Sequence, residues 1–387
     1  DYHLAYQDGF ILGYLIPILF LFMRQIFQRQ KKWKQKIISS FLVYLFFLPF
    51  ELRFYNSLQP FSFANTLLFT PYFTVLAFVS LFAFYGLPIY KAVNWIVYPL
   101  KYIFIPFQYL KCEIYAPSFD SVFLVVYYLL FMALIYYLSI CFKPIVMRLE
   151  ILYLSFMALY CLPIGNYLTE EVTFINVGQG DCCLIRKQDI AIMIDTGGLK
   201  YSDIAQESIL PFLKKKRIYD IDLVITTHDD YDHSGALSSL RDNFIVKNYI
   251  RSSSSFPLNY QGIELKNYNV FEGKDENARS LVIGFNLMHT DFLIMGDAPI
   301  EIEKQIIDEY RTVPCDVIKV GHHGSDTSTC EEFIKYLHPQ EAIISVGKNN
   351  SYGHPHKRVI NILKANGVNI KRTDELGTIT YSNYIFM

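Results

Sequence analysis

Acidic residues and histidines are concentrated in one short segment, which reads His-Asp-Asp-Tyr-Asp-His and directly follows the apolar run DLVIT. Imidazole and carboxylate groups bind divalent cations, and residues two apart on an extended loop face the same way. We therefore predict two cations here, with His228 and Asp230 on one and Asp232 and His233 on the other. A hydrogen-bonded surface pair would explain one histidine and one aspartate, but not four such residues within six.

Three further loops carry residues of the same kind. Asp297 follows the apolar run FLIM, His322 and His323 follow DVIKV, and His354 lies in the sequence GHPH. A carboxylate such as Asp297 can bridge two cations, although an aspartate here could instead cap the helix that Pro299 begins. Six of the nine histidines fall in three loops, at 228–233, 322–323 and 354–356, whereas surface histidines would be scattered along the chain. Such histidines can bind metal or donate a proton to a substrate.

Two glycine-rich turns add two more aspartates, Asp181 in NVGQGD and Asp195 in DTGG. Glycine lets a tight turn form close to a ligand. We predict that both aspartates orient the histidine ligands by accepting the N–H on the far side of each ring. For Asp195, a role in the turn alone is an equally good interpretation.

The elements that must position these loops are short β-rich runs separated by amphipathic helical stretches. The helical stretches are 204–215, 300–310 and 331–337. The β-rich runs are VTFINV, CCLIR, IAIMID, DLVIT, LVIGF, DFLIM, DVIKV, EAIISV and TITYS. Strands with interleaved helices predict a layered α/β domain whose polar residues cluster where strands end.

Residues 1–168 differ sharply in composition from the rest of the chain. They hold 12 Lys and Arg and 6 Asp and Glu, whereas residues 169–387 hold the remaining 23 of 35 and 30 of 36. The first part is charge-poor and the second has a net charge of −7. We predict a transmembrane domain over 1–168 and a water-soluble domain over 169–387. The hydrophobic fraction of 52% excludes a disordered chain.

Five or six membrane spans are expected in the first part, because a bilayer core of about 30 Å needs roughly 20 apolar helical residues. The uncharged runs are 10–23, 37–50, 54–90, 121–142 and 151–168. The run 54–90 contains Pro60, Pro71 and Pro88, so it holds either one helix with proline-rich flanks or a span and a broken piece. Basic residues in short loops place residues 169–387 outside the cytoplasm, given one more crossing between residues 92 and 118. No Met precedes Asp1, and we expect the chain to be part of a longer protein.

The motifs VTFINVGQGD, IMIDTGG, ITTHDDYDHSG, LIMGDAP, DVIKVGHHGS and GHPH resemble the metallo-β-lactamase-fold domain of the ComEC family, the membrane channel proteins of bacterial competence. The hydrophobic first half resembles that family's membrane competence domain, less specifically. The resemblance implies an α-helical transmembrane domain followed by an αββα sandwich, with the ligands on loops along one edge of two packed sheets.

The family pattern also implies roles for individual residues. The implied metal ligands are His228, Asp230, Asp232, His233, Asp297 and His354, and the implied catalytic residues are Asp232, His322 and His323. Where the superfamily has a further histidine ligand, this chain reads Glu-Asn-Ala-Arg-Ser. Asn277 in that stretch and Ser325 join Asp181 and Asp195 as residues expected to hold the ligands or contact the substrate. Oxygen ligands in place of histidine favour Mn²⁺ or Mg²⁺ over Zn²⁺, so the identity of the two divalent ions stays open.

The implied function is uptake of DNA through the bacterial inner membrane as a single strand, while a nuclease domain outside the cytoplasm degrades the other strand. Its partners would be DNA, membrane lipid and other proteins of the uptake machinery. The net charge of the second half argues against a broad DNA-binding surface, and the basic run 214–217 is more typical of a solvated helix end. Two alternatives stay open: a membrane-anchored metallo-hydrolase of a small ester or phosphodiester, and a channel with an inactive docking domain.

Overall fold

The computed structural model describes residues 31–61, 112–140 and 143–384, together with ten single positions between 21 and 102. The chain divides into two compact units, Asp1–Leu162 and Pro163–Met387. The predicted span 10–23, most of the run 54–90 and most of the predicted crossing at 92–118 lie outside the described residues.

Three helices of the first unit are long and apolar enough to cross a membrane. They are α1 (Lys32–Tyr55), α2 (Ser121–Ser139) and α3 (Lys143–Cys161). Asp120 caps α2 by accepting a hydrogen bond from the backbone N–H of Phe123 at 2.9 Å. Helices α1 and α2 pack through a buried cluster that includes Phe46 and Phe131, and the Tyr128 hydroxyl donates to the carbonyl of Phe46 at 3.2 Å. A two-residue antiparallel pair, β1 (Ser57–Leu58) with β2 (Ile114–Tyr115), completes the described part of this unit.

The third of these helices begins earlier than the sequence indicated. The run 151–168 predicted the span, whereas α3 begins at Lys143 and ends at Cys161. Long basic side chains such as Arg148 can lie along a helix with the charge directed to water, so they need not stand in a loop. Pro163 cannot continue a helix because its ring removes the backbone N–H. The residues after it form a separate short helix, α4 (Ile164–Leu168), within the second unit.

The second unit contains two mixed β-sheets and seven further helices over residues 163–384. The strands are β3 (Thr169–Phe174), β4 (Cys183–Lys187), β5 (Ile190–Ile194), β6 (Asp220–Ile225), β7 (Ile245–Ile250), β8 (Leu258–Tyr260), β9 (Ile263–Asn267), β10 (Ile283–Leu287), β11 (Thr290–Ile294), β12 (Val317–Lys319), β13 (Glu341–Ile344), β14 (Asn369–Arg372) and β15 (Ile379–Tyr384). The helices after α4 are α5 (Leu210–Lys215), α6 (Tyr231–Ser234), α7 (Leu237–Asn243), α8 (Ile300–Glu309), α9 (Glu331–Leu337), α10 (Lys357–Ala365) and α11 (Thr373–Leu376).

The two sheets pack face to face around a hydrophobic core. The first has the order β15-β3-β4-β5-β6-β7 and the second the order β14-β13-β12-β11-β10-β9-β8. One buried cluster joins residues of both sheets, among them Ile192 and Leu223 with Phe292 and Ile343. A second cluster covers the outer face of the second sheet with α8, α9 and α10. Buried residues of α5 and α7 supply the remaining layer. These layers confirm the predicted αββα sandwich.

The topology places the polar loops at one edge of this sandwich. Strands β5 and β6 are parallel in the first sheet, and β11, β12 and β13 are parallel in the second. Asp195, His228, Asp297 and His322 each lie within four residues of the carboxyl end of one of these strands. Because the carboxyl ends of parallel strands meet at the same edge, residues far apart in the sequence come together there.

Candidate metal centre

Asp297 lies in the middle of the histidine cluster, with one carboxylate oxygen directed to each side. Its Oδ1 atom is 3.0 Å from His233 Nε2 and 3.9 Å from His323 Nε2. Its Oδ2 atom is 3.6 Å from His322 Nε2 and 3.9 Å from His228 Nε2. This is the arrangement expected of a carboxylate that bridges two cations.

The ligand atoms on the Oδ1 side converge most closely. Donor atoms of Asp232, His233, Asp297 and His323 all lie within 4.8 Å of one another, and His323 Nε2 is 3.1 Å from Asp232 Oδ2. Three of the four residues are buried and Asp232 is partly exposed. This group therefore has both the donor chemistry and the spacing of a metal site.

The Oδ2 side is more open to solvent. His228 Nε2 is 3.5 Å from Asp230 Oδ2, and the Asp230 side chain is 49% exposed. The ring of His354 lies 5.8 Å from the ring of His322 and 6.5 Å from that of His323. The structure thus brings all six sequence-predicted ligands to the same edge.

Two buried histidine nitrogens in this cluster, His228 Nε2 and His354 Nδ1, have no hydrogen-bond partner within the described part of the chain. Leaving a buried polar atom unpaired costs about 1–3 kcal/mol, so two such atoms in one place need an explanation. A mixture of imidazole nitrogens and carboxylate oxygens fits divalent cations such as Zn²⁺, Mn²⁺ and Mg²⁺, and we conclude that the residues present fit a metal centre.

The histidines and carboxylates of the cluster shift one another's pKa values. Burial opposes charge on Asp297, but His233 and His323 hold its pKa well below the ordinary value. Burial likewise opposes a charged His323, but Asp181 and Asp297 raise its pKa to about 9. Despite its burial, the pKa of His233 is also raised by Asp297 and Asp195, so protons on His233 and His323 balance the carboxylates, and a bound cation would release them.

Asp195 contacts the Nδ1 side of the His233 ring, opposite the side that faces Asp297. Its Oδ2 atom is 2.9 Å from His233 Nδ1, and the carboxylate also accepts from the backbone N–H of Thr227 at 2.7 Å and from its hydroxyl at 2.8 Å. Asp195 has a left-handed backbone with φ of 59°, which is uncommon for a residue other than glycine. Sequence analysis missed Thr227, which stands next to His228 without a recognisable motif.

Asp181 contacts His323 and is held by a lysine that sequence analysis also missed. Asp181 Oδ1 is 3.4 Å from His323 Nδ1, and Asp181 Oδ2 forms an ion pair with Lys319 Nζ. The Lys319 side chain is only 2% exposed. A lysine inside the otherwise apolar run DVIKV was the available signal, because a charged side chain in a buried strand needs a partner.

The two histidines of the Gly-His-His-Gly turn are fixed by the turn itself. His322 and His323 have φ of 48° and 52°, and the Thr327 hydroxyl is 3.1 Å from His322 Nδ1. Ser325 is buried, and its Oγ atom accepts a hydrogen bond from the Thr327 hydroxyl at 3.1 Å. Ser325 therefore contacts Thr327, which in turn contacts His322.

Asn277 is the predicted site residue that lies farthest from this network of contacts. It begins a 3-10 helix, Asn277–Arg279, and its side chain makes no hydrogen bond to the histidine cluster within residues 143–384. The same loop reaches the cluster through Ser280, whose Oγ atom accepts from the backbone N–H of Asp297 at 3.2 Å. Sequence analysis missed Ser280.

Two glycines let the loop from Tyr231 to Asp232 pack directly on the turns around it. A Cβ atom on Gly180 would lie 2.5 Å from the backbone oxygen of Asp232, and one on Gly198 would lie 2.0 Å from that of Tyr231. Neither distance is tolerable for a side chain. The glycines of the two turns are therefore needed for close approach of the metal-binding loop.

Comparison with known families matches both parts of the chain. Residues 2–140 match the family described as Competence protein, and residues 175–275 match the Metallo-beta-lactamase superfamily. The second match includes the loop from His228 to His233. Together these matches confirm the two-part resemblance and the fold class predicted from the sequence.

Three relatives are similar over about half of the chain. ComE operon protein 3 of Bacillus subtilis is 34% identical over 253 residues, which cover 54% of this chain and 33% of that protein. Competence protein ComA of Neisseria gonorrhoeae is 28% identical over 222 residues, 54% of this chain and 32% of that protein. Recombination protein 2 of Haemophilus influenzae is 33% identical over 209 residues, 50% of this chain and 26% of that protein. The chain thus aligns with a third or less of the length of these relatives.

Proposed function

Since the chain carries a competence-protein domain followed by a metallo-β-lactamase-superfamily domain, we propose that it takes part in DNA uptake through a bacterial inner membrane. The metallo-domain is a metal-dependent phosphodiesterase that hydrolyses the strand that is not transported. The position of Asp297 between two sets of histidines, with buried ligand atoms that lack partners, carries this assignment. The names of the relatives support the competence role.

The exposure of His322 and His323 indicates which of the two can reach the substrate. Two divalent cations, when bound, lower the pKa of a water and stabilise the attacking and leaving oxygens of a phosphodiester. The His322 side chain is 27% exposed and that of His323 is 1% exposed. His322 is therefore the histidine that can donate a hydrogen bond or a proton to the substrate phosphate. His228, Asp230, Asp232, His233, Asp297 and His354 would hold the metal, and His323, whose donor atom lies with those of Asp232, His233 and Asp297, would join them.

The test is cleavage of linear single- and double-stranded DNA by the purified full chain with Mn²⁺, Mg²⁺ or Zn²⁺. Asp232→Ala combined with His233→Ala is expected to abolish cleavage. Asp189→Ala is the matched control, because it removes an exposed carboxylate from the turn between β4 and β5, at the opposite end of β5 from Asp195. DNA left intact while bis(p-nitrophenyl) phosphate is hydrolysed would instead support the small-diester hydrolase.

We also propose that the chain crosses the membrane several times and that its metallo-domain lies outside the cytoplasm. The three apolar helices and the basic residues near their ends support this placement. Tyr201 is fully exposed, so Tyr201→Cys in a Cys112→Ser background gives a labelling site. Labelling by a membrane-impermeant maleimide in intact spheroplasts is expected. Labelling only after lysis would contradict the placement.

A further inference from the structure

A cleft of about 880 Å³ opens beside His228, outside the histidine cluster itself. One wall is formed by residues 249–255, at the end of β7 and directly after it, and the other by residues 269–281, which precede β10. Thr227 and His228 line the cleft where it meets the metal centre. Its volume is in the range of sites that bind small molecules or segments of a polymer.

Each wall contributes one arginine. Arg279 donates from Nε to the carbonyl of Gly273 at 3.0 Å, which fixes its guanidinium, and neither Nη atom of Arg279 has a hydrogen-bond partner among the described residues. Arg251 pairs with Asp229 of the metal-binding loop, and its side chain is 55% exposed. A guanidinium presents a planar fork of donors that matches phosphate oxygens.

The same walls carry aromatic side chains and neutral donors. Tyr249 and Phe271 line the cleft, and the Tyr249 hydroxyl is 2.9 Å from the hydroxyl of Thr226, which fixes the ring. Aromatic faces stack on unpaired bases. The serines at 252, 253 and 255 add hydroxyl groups to the wall that contains Arg251.

The charge balance of the cleft indicates few phosphate contacts. Glu272 and Glu276 also line it, and Arg251 is paired with Asp229, so three carboxylates face the two arginines and the cleft has no general positive field. Broad electrostatic binding of duplex DNA needs many Lys and Arg. Two fixed guanidinium groups beside aromatic faces fit a single strand held at a few positions.

We propose that this cleft is the strand-binding groove of the metallo-domain. In it Arg251 and Arg279 hold backbone phosphates, and Tyr249 and Phe271 stack on bases of a single nucleic-acid strand that leads to His228. This inference rests on the proposed function, since it names the part of the molecule that presents the phosphodiester to the metal centre.

The experiment measures binding of a fluorescein-labelled single-stranded oligonucleotide to the full chain in detergent, by anisotropy in EDTA, so that binding is read without cleavage. Arg279→Gln is expected to weaken binding about tenfold, as for one lost charge-assisted contact, and to reduce the slope of log K against log salt by about 0.7. Tyr249→Leu is expected to weaken binding about tenfold and to leave that slope unchanged.

Lys274→Gln is the matched control. Lys274 lies in the same loop, but it pairs with Glu301 and is 83% exposed. Lys274→Gln should bind the strand as the unchanged chain does. Equal losses in Arg279→Gln and Lys274→Gln, no loss in Arg279→Gln, or a matching duplex bound as tightly as the single strand would each overturn the groove. Tight strand binding that depends on Arg279 without cleavage under any metal would uphold the groove and refute the proposed hydrolysis.

Discussion

Replacing Lys319 by Met tests whether a buried ion pair joins the two sheets beneath the metal centre. Lys319 and Asp181 are separated by 138 residues in sequence and form a buried side-chain contact. Their side chains are 2% and 5% exposed. Met keeps an unbranched chain of similar length but removes the charge. Asp181 is then left buried with His323 and His233 as its remaining charged neighbours.

Loss of one partner from a buried pair typically costs about 3–5 kcal/mol, because the other charge stays in a region from which water is excluded. We expect a loss in this range for Lys319→Met and for Asp181→Asn. In the double variant both charges are gone, so most of the loss should be recovered. With single losses of at least about 3 kcal/mol each and about 1 kcal/mol left in the double variant, the coupling between the two positions is about 5 kcal/mol or more, well above the measurement error of a double-mutant cycle.

The assay is urea denaturation of residues 163–387 in EDTA. Both tryptophans, Trp33 and Trp95, lie in the first half of the chain, so far-UV circular dichroism is the suitable signal. Glu331→Gln is a useful comparison, because Glu331 forms an exposed pair with Lys335, with side chains 53% and 60% exposed, and its loss should cost about 1 kcal/mol or less. A loss below about 1 kcal/mol for Lys319→Met, or strictly additive single losses, would refute the idea that this pair stabilises the site.

Three further changes test the metal centre. With metal removed by EDTA, the free energy of unfolding should fall as pH rises from 6.5 towards 9. The reason is that the pKa of His323 is raised from 6.5 to about 9, so its proton stabilises the folded state and that contribution is lost as the proton leaves. Urea midpoints measured between those pH values would show the fall. Asp195→Asn should weaken metal binding about 10- to 100-fold by releasing His233, as isothermal titration calorimetry would measure, and an unchanged affinity would contradict that role. Gly198→Ala should displace Tyr231 and reduce bound metal, whereas Gly165→Ala, whose Cβ would meet nothing within 4 Å, should leave metal content as it was.

The layered α/β fold was predictable because strand and helix periodicity are local properties. Helix α9 begins and ends where the sequence predicted, at Glu331 and Leu337. The predicted helix over 204–215 is present, but it begins with a π-turn, Ala205–Ile209, which has no pattern distinct from an α-helix. The strand β7 was missed because Lys247 and Asn248 interrupt its apolar residues, so neither alternation nor an apolar run marks it.

The ligand loops were predictable because ligand chemistry limits the residue types and the loops keep them close in sequence. The residues that hold these loops in place were not predictable, because ordinary polar residues take on this role only through contacts with residues far away in the sequence. Thr227 and Asp195 are 32 residues apart, and Ser280 meets the backbone of Asp297 from a different loop. No spacing rule connects such pairs, since the register of the sheets decides which residues meet.

The position of Lys319 shows how this register shapes the centre. β12 places Lys319 at its carboxyl end and His323 four residues later, so the same strand supplies a buried cation on one side of Asp181 and a histidine on the other. A buried cation in a metal site should repel the metal, unless a carboxylate stands between them. Asp181 stands there, with one oxygen on Lys319 and the other facing His323. The pair thus allows a lysine at the end of β12 to lie beneath a cation site. It also gives that lysine a charged partner in a strand that is otherwise apolar.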